Sequence, residues 1–275
     1  MADKVDKADK GDKAEKVEKG KLVEIDAADL LYQDLNHKVK LAAWEQGAQR
    51  IVIRNVYGQR YIGTGVDRNV SIDVHGTPGN DLAAFGNGPH ITVHGNAQDG
   101  CGNTMNEGTV VVHGHAGDIL GYAMRGGSIF VRDDVGYRVG IHMKEYMDKI
   151  PKLVIGGTAQ DFLGEYMAGG ILLVLGLTLE EGAFQKADHI ATGMHGGTIY
   201  IRGKVEPHQL GLDVEALEME QCDIRTVESL VESYVSFFKD DKIKGKALEV
   251  SDIMSGKFIK LRPLSKRPYA KIYAY

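Results

Sequence analysis

Seven segments of the chain open on one short pattern at a nearly fixed interval. SIDVHG begins at Ser71, HITVHG at His90, TVVVHG at Thr109 and SIFVRD at Ser128, each 19 residues after the last. KLVIGG at Lys152, ILLVLG at Ile171 and TIYIRG at Thr198 follow at spacings of 24, 19 and 27, so insertions near residues 144–150 and 180–190 interrupt one constant unit. A degenerate earlier copy is read from Ile51. With each start as position zero, positions one and three are β-branched or leucine in every copy, from Ile72/Val74 to Ile199/Ile201. Period-two spacing puts them on one face of a strand. Position five is glycine in all copies but one, where Asp133 stands. Position twelve is glycine at Gly102, Gly121, Gly140 and Gly164, and position fifteen is methionine at Met105, Met124, Met143, Met167 and, allowing for the insertion, Met194.

A 19-residue unit with one short strand cannot bury its apolar face alone; copies must stack and share an interior and a ladder of backbone hydrogen bonds. Corners at glycines and one strand per unit predict a right-handed parallel β-helix of about seven coils. At one strand spacing per coil it runs about 34 Å. Ankyrin-like helix pairs need about 33 residues per unit, leucine-rich repeats need a different signature, and left-handed hexapeptide coils repeat in multiples of six.

The flanks differ in composition. All but four of the 35 glycines (Gly11, Gly20, Gly245, Gly256) fall between Gly47 and Gly211. Residues 1–21 form a charged tail with little to bury, built on Asp-Lys and Glu-Lys repeats. Residues 22–50 are expected to be an N-terminal helix and cap, with the helix over 26–44, Asp26 as N-cap and Gly47 as its stop. The β-helix takes 51–205. Residues 206–275 are a C-terminal cap with a helix whose N-cap is read at Thr226 and whose face is Leu230, Val231, Tyr234, Val235 and Phe238; 257–275 read as a strand or extended arm. The net charge of −5 argues against nucleic acid or a polybasic membrane contact. The longest apolar run, Ile171–Leu175, is far short of a membrane span of roughly 20 residues. No signal peptide is read in the charged first residues, and two cysteines, Cys101 and Cys222, fit a reducing compartment. A cytoplasmic protein is expected.

Each chemical candidate has a structural alternative. His75, His94 and His113 share position four and point outward; no carboxylate or cysteine in the pattern completes a metal site, so an exposed or interface column is expected. Asn80, Asp99, Asp118 and Asp161 share position nine and are assigned to satisfying turn N–H groups rather than to paired-carboxylate catalysis. The methionine column is expected inside. Arg60, Arg125 and Arg138 lie near aromatics and are read as surface arginines, with a buried anion or partner contact as the alternative. Gly114-x-x-Gly117-x-x-x-Gly121 does not have the spacing of a dinucleotide or phosphate loop. No catalytic, cofactor-binding or metal-binding residue is assigned.

The unit Gly114-His-Ala-Gly117-Asp-Ile-Leu-Gly121, with GQRYIG at 58–63, GNAQDGCGNTMNEG at 95–108, GYAMRGG at 121–127, GYRVGIHMKEY at 136–146 and GTAQDFLGEYMAGG at 157–170, resembles the GXGXG domain. That domain forms the C-terminal part of the glutamate synthase large subunit, and the chain looks most like its stand-alone version. More distant is a similarity to the formylmethanofuran dehydrogenase subunit that carries a related coil. The resemblance implies a non-catalytic structural subunit. It would brace a glutamine amidotransferase subunit and an FMN/iron–sulfur synthase subunit in a complex that moves ammonia from glutamine to 2-oxoglutarate and reduces the imine. It implies no cofactor on this chain, and no catalytic residue carries over. A carbohydrate-active β-helix enzyme is the alternative of a different class; the secretion and long groove loops expected of it are not seen in the sequence.

Overall fold

The computed structural model describes residues 20–180 and 182–265. The Asp-Lys tail and the end of the C-terminal arm lie outside the described residues. Strand β1 (Leu22–Asp26) and helix α1 (Tyr32–Lys40), which continues into a wide i→i+5 turn at Leu41–Glu45, precede the strands of the repeat. These are β2 (Arg50–Tyr57), β3 (Ser71–Thr77), β4 (Asn87–His94), β5 (Glu107–Val112), β6 (Ser128–Val131), β7 (Lys152–Ile155), β8 (Ala168–Val174) and β9 (Gly196–Arg202). They stack in chain order as a parallel β-helix, and the strand starts read from sequence are register partners throughout: Ser71, His90, Thr109, Ser128, Lys152, Ile171 and Thr198. The earlier copy is real but starts at Arg50, the partner of Ser71. A bulge between Ile53 and Val56, with Asn55 at φ +58°, adds the residue that blurs its alignment.

The inward positions behave as the period-two pattern requires. Positions one and three of all seven copies are at most 1% exposed, and the five methionines of position fifteen at most 2%. They form one continuous core with Leu35, Val39 and Ala42 of the N-terminal cap.

The corner opposite the strands explains the glycines. Three alternating residues per coil take left-handed backbone. In the coil that starts at Thr109 these are Ile119 (φ +50°), Gly121 (+67°) and Ala123 (+49°), and in the next coil Arg138, Gly140 and His142. Their N–H groups go alternately up and down the stack: Ile119 to Tyr137 O, Gly121 to Cys101 O, Ala123 to Ile141 O. The outer two positions carry bulky residues at the same φ, so the backbone angle alone does not demand glycine at position twelve. Space does. A Cβ on Gly121 would lie 2.8 Å from Leu153 Cδ1, and one on Gly102 2.2 Å from Ile129 Cδ1.

The ends depart from the expected elements. Asp26 does not cap the helix; it closes β1, which adds a further parallel strand below β2, and its carboxylate accepts bonds from Ala28 N (3.0 Å) and Asn55 Nδ2 (2.9 Å). The helix starts six residues later. At the other end, β13 (Phe258–Pro263) pairs antiparallel with β9 and β10 (Val214–Leu217) pairs antiparallel with β13, in the order β9-β13-β10. Helix α2 (Gln221–Phe237) starts before Thr226, whose hydroxyl donates inside the helix to Cys222 O (2.9 Å). Its first turn is fixed instead by Asp223, which accepts from Glu220 N (2.8 Å). A hairpin, β11 (Lys242–Ile243) and β12 (Lys246–Ala247), and helix α3 (Val250–Met254) complete the cap.

Helix α2 lies on the outer face of the solenoid. Outward position two changes along the stack from Asp73 and Thr92 to Val111, Phe130, Val154, Leu173 and Tyr200, and only the apolar stretch is covered. Val227, Leu230, Val231, Tyr234 and Phe238 pack on it as a second core. Gly156, where earlier coils carry histidine or arginine, makes room: its Cβ would overlap Tyr234 Oη at 1.8 Å.

Candidate functional site

The histidines of position four form a stack. His75 and His94 are face to face at 4.4 Å and 8°, His94 and His113 at 5.6 Å and 14°. The structure brings carboxylates to the stack, one from within the repeat and one from the C-terminal cap. Asp73, outward at position two, meets His94 Nε2 (3.2 Å) and Arg50 Nε (2.8 Å); Asp241, beyond the end of α2, meets His113 Nδ1 (2.7 Å) and Arg132 Nη1 (3.4 Å). Burial pulls the Asp73 pKa up, but the bonds from Arg50 and His94 outweigh it and hold it below the usual carboxylate range. The His75 pKa is lowered by burial and by the neighbouring His94 and Arg54. Asp73 was legible from period two, since it lies on the face of His75. Asp241 was not, because only tertiary docking of α2 brings it there.

The aspartates of position nine do the work of turns. Asp99 Oδ1 accepts Asp118 N (2.9 Å), Asp118 Oδ1 accepts Tyr137 N (2.8 Å) and Asp161 Oδ1 accepts Asp188 N (2.9 Å), each one coil further on. Gly117 and Gly136 exist to admit them, since a Cβ there would stand 2.1 Å from the carboxylate oxygen below. For Asn80 the contact made is through the main chain, its carbonyl accepting Tyr61 N.

The three arginines sit on aromatic faces: Arg60 over Tyr32 (4.9 Å), Arg125 over Tyr146 (6.0 Å) and Arg138 over Phe162 (4.6 Å), with Arg138 also paired to Glu165. One acid of each insertion is engaged by another part of the chain. Glu145 Oε1 accepts Gly170 N (2.9 Å), and Glu180 pairs with Lys244 (2.8 Å).

A buried polar cluster in the C-terminal cap was not visible in the sequence. Asp223 receives Lys260 Nζ (2.7 Å) on one oxygen and Tyr200 Oη (2.6 Å) on the other. Both side chains of the Asp223–Lys260 pair are 7% exposed. It ties α2, β9 and β13 together. Glu220 and Cys222 stand beside Asp223 with ligand-type atoms within 4.8 Å of one another. Burial, then Asp81, pushes the Cys101 thiol up to about 12, whereas Cys222 is exposed.

A parallel solenoid whose coils turn on alternating left-handed residues, with glycine or, at Ala83 and Ala191, alanine at the inward position, defines a class of protein. The chain belongs to the GXGXG motif family, which matches residues 33–264. It is also similar to a protein of Methanocaldococcus jannaschii named "Uncharacterized protein MJ1350", with 47% identity over 257 residues, covering 91% of this chain and 96% of the relative. No helix among the described residues is long and apolar enough to cross a membrane.

Proposed function

We propose that this chain is a non-catalytic structural subunit of a glutamate-synthase-like complex. It would brace a glutamine amidotransferase subunit and a subunit carrying FMN and an iron–sulfur cluster, in the cytoplasm. The observation that carries the reading is the family match over 33–264, which leaves little of the chain outside the motif domain. The engagement of the acids agrees with it: Asp99, Asp118 and Asp161 hold turns of the next coil, and Asp73 and Asp241 hold the outer face. Side chains tied in this way to the protein's own backbone and side chains serve rigidity.

The test is isolation of the tagged full chain from native extract, with mass spectrometry and an absorbance scan. Co-isolation of an amidotransferase chain and a chain with flavin and iron–sulfur bands is expected, with no turnover by this chain alone. Recovery of the chain colourless and without partners would overturn the reading. Molybdenum or tungsten in the isolate would move it to the formylmethanofuran-dehydrogenase type.

A further inference from the structure

The C-terminal cap encloses a cleft of about 800 Å³ between the end of β9, the turn after β8, the β11–β12 hairpin and α3. Arg202, the last residue of β9, lines it and is partly buried. Its Nε donates to Ile253 O (2.9 Å) and Nη1 to Leu175 O (3.5 Å). Among the described residues Nη2 has no acceptor and no carboxylate pairs with the guanidinium. Burial alone moves its pKa, downward. The contrast is with Arg132, which holds Asp133 and Asp241, and with buried Lys260, which holds Asp223. A partly buried guanidinium with no counter-charge beside it offers an anion a favourable place.

The rest of the cleft has the matching character. Lys204, Lys246 and Lys257 line it without an ion pair among the described residues, against Glu249 and Asp252, while Lys244 is already paired with Glu180. Among the described residues the unpaired lining charge is therefore four cations to two carboxylates. Leu177, Leu248 and Ile253 give the cleft an apolar wall. Gly256 lets Arg202 lie where it does, because a Cβ there would come 2.3 Å from Nε.

We infer that this cleft binds a small organic oxyanion, its carboxylate or phosphate on the free N–H groups of Arg202 and its aliphatic part against Leu248 and Ile253. A planar fork with three of its five N–H groups free suits either group. The site is separate from the brace role and does not depend on it.

Titration of the ¹⁵N-labelled full chain tests it, with succinate, inorganic phosphate and glycerol 3-phosphate as probes. At least one probe should give saturable shifts of the Arg202 Nε–Hε resonance and of the Gly203 and Gly256 amides. Saturation by succinate alone assigns a carboxylate; saturation by the phosphates alone assigns a phosphate. Arg202→Lys should weaken binding about tenfold by losing the fork. The Lys204→Ala/Lys257→Ala variant, which leaves the α3 contact intact, should weaken it about fivefold through lost charge alone, and it remains informative if Arg202→Lys does not fold. Linear, unsaturating drift with every probe overturns the site, as does saturation that the double-lysine variant retains unchanged.

Discussion

Substituting alanine for Gly121 and for Gly65 separates two reasons for a recurring glycine that are usually confounded. Both residues have φ +67°. A Cβ at Gly65 meets nothing within 4 Å, whereas at Gly121 it comes 2.8 Å and 2.9 Å from the two methyl groups of Leu153, which is itself fully buried. The shared term is the left-handed cost of an alanine, about 1 kcal/mol. The extra term at Gly121 is overpacking of the solenoid interior, about 1–3 kcal/mol. Gly65→Ala should therefore cost about 1 kcal/mol and Gly121→Ala about 2–4. Urea unfolding followed by far-ultraviolet circular dichroism measures both, and unchanged m-values guard against a shift in what unfolds. Leu153→Ala in the Gly121→Ala background should be less damaging than the sum of the two, with a coupling of about 1 kcal/mol or more. Equal costs at the two glycines, or additivity with Leu153→Ala, would refute the account of position twelve as a requirement for interior room.

Other outcomes follow from the same contacts. Met124→Ala should lose about 2–5 kcal/mol in the same unfolding assay, since its side chain is fully enclosed between coils. Asp118→Ala should cost about 1 kcal/mol through the unmet Tyr137 N–H, and Asp118→Asn should restore most of it. Asp223→Asn should cost about 3–5 kcal/mol by leaving Lys260 buried without its charge partner. Burial raises the Asp223 pKa, but bonds from Lys260, Tyr200 and Glu220 N–H prevail and hold it below the ordinary value. Its stabilisation is thus complete above the unfolded pKa of about 3.9 and fades as pH falls through the folded one, so the variant should show a flatter stability profile below about pH 4. A thiol reagent should label one cysteine of the native protein, Cys222, and two in denaturant, because the buried Cys101 thiol stays protonated.

The stack itself was legible because a repeat states its constraint many times over. Positions one, three and fifteen gave the interior, and the spacing gave the register that Ser71 through Thr198 keep. Asp26 and Thr226 misled for a common reason. A side chain suited to capping marks a place where a helix can start, while the actual start depends on contacts from far along the chain. At Asp26 the competing claim was a strand partner, Arg54; at α2 it was Lys260, 37 residues beyond Asp223. The same limit hid the Asp241–His113 pair, which spans 128 residues, and the cap cleft, which no single segment encodes.

Yet the docking place of α2 was written in the repeat, in a column that period-two reading treats as solvent-facing. Position two turns apolar from Val111 onward, and position four becomes glycine at Gly156, where Tyr234 enters to donate its hydroxyl to Arg132 O at 2.8 Å. In a solenoid the inward columns are dictated by the stack and say little about what else the protein touches. The outward columns are free of that demand, so a run of apolar residues there must answer to a second layer. Here the run extends from β5 to β9 and α2 accounts for it. Below β5 the same column is polar, with Asp73 and Thr92, and the outer face of β3 and β4 is held by the histidine stack and its acid partners rather than by a helix. The two halves of one face are therefore built differently: the upper carries a helix of the chain itself, the lower the histidine stack with Asp73.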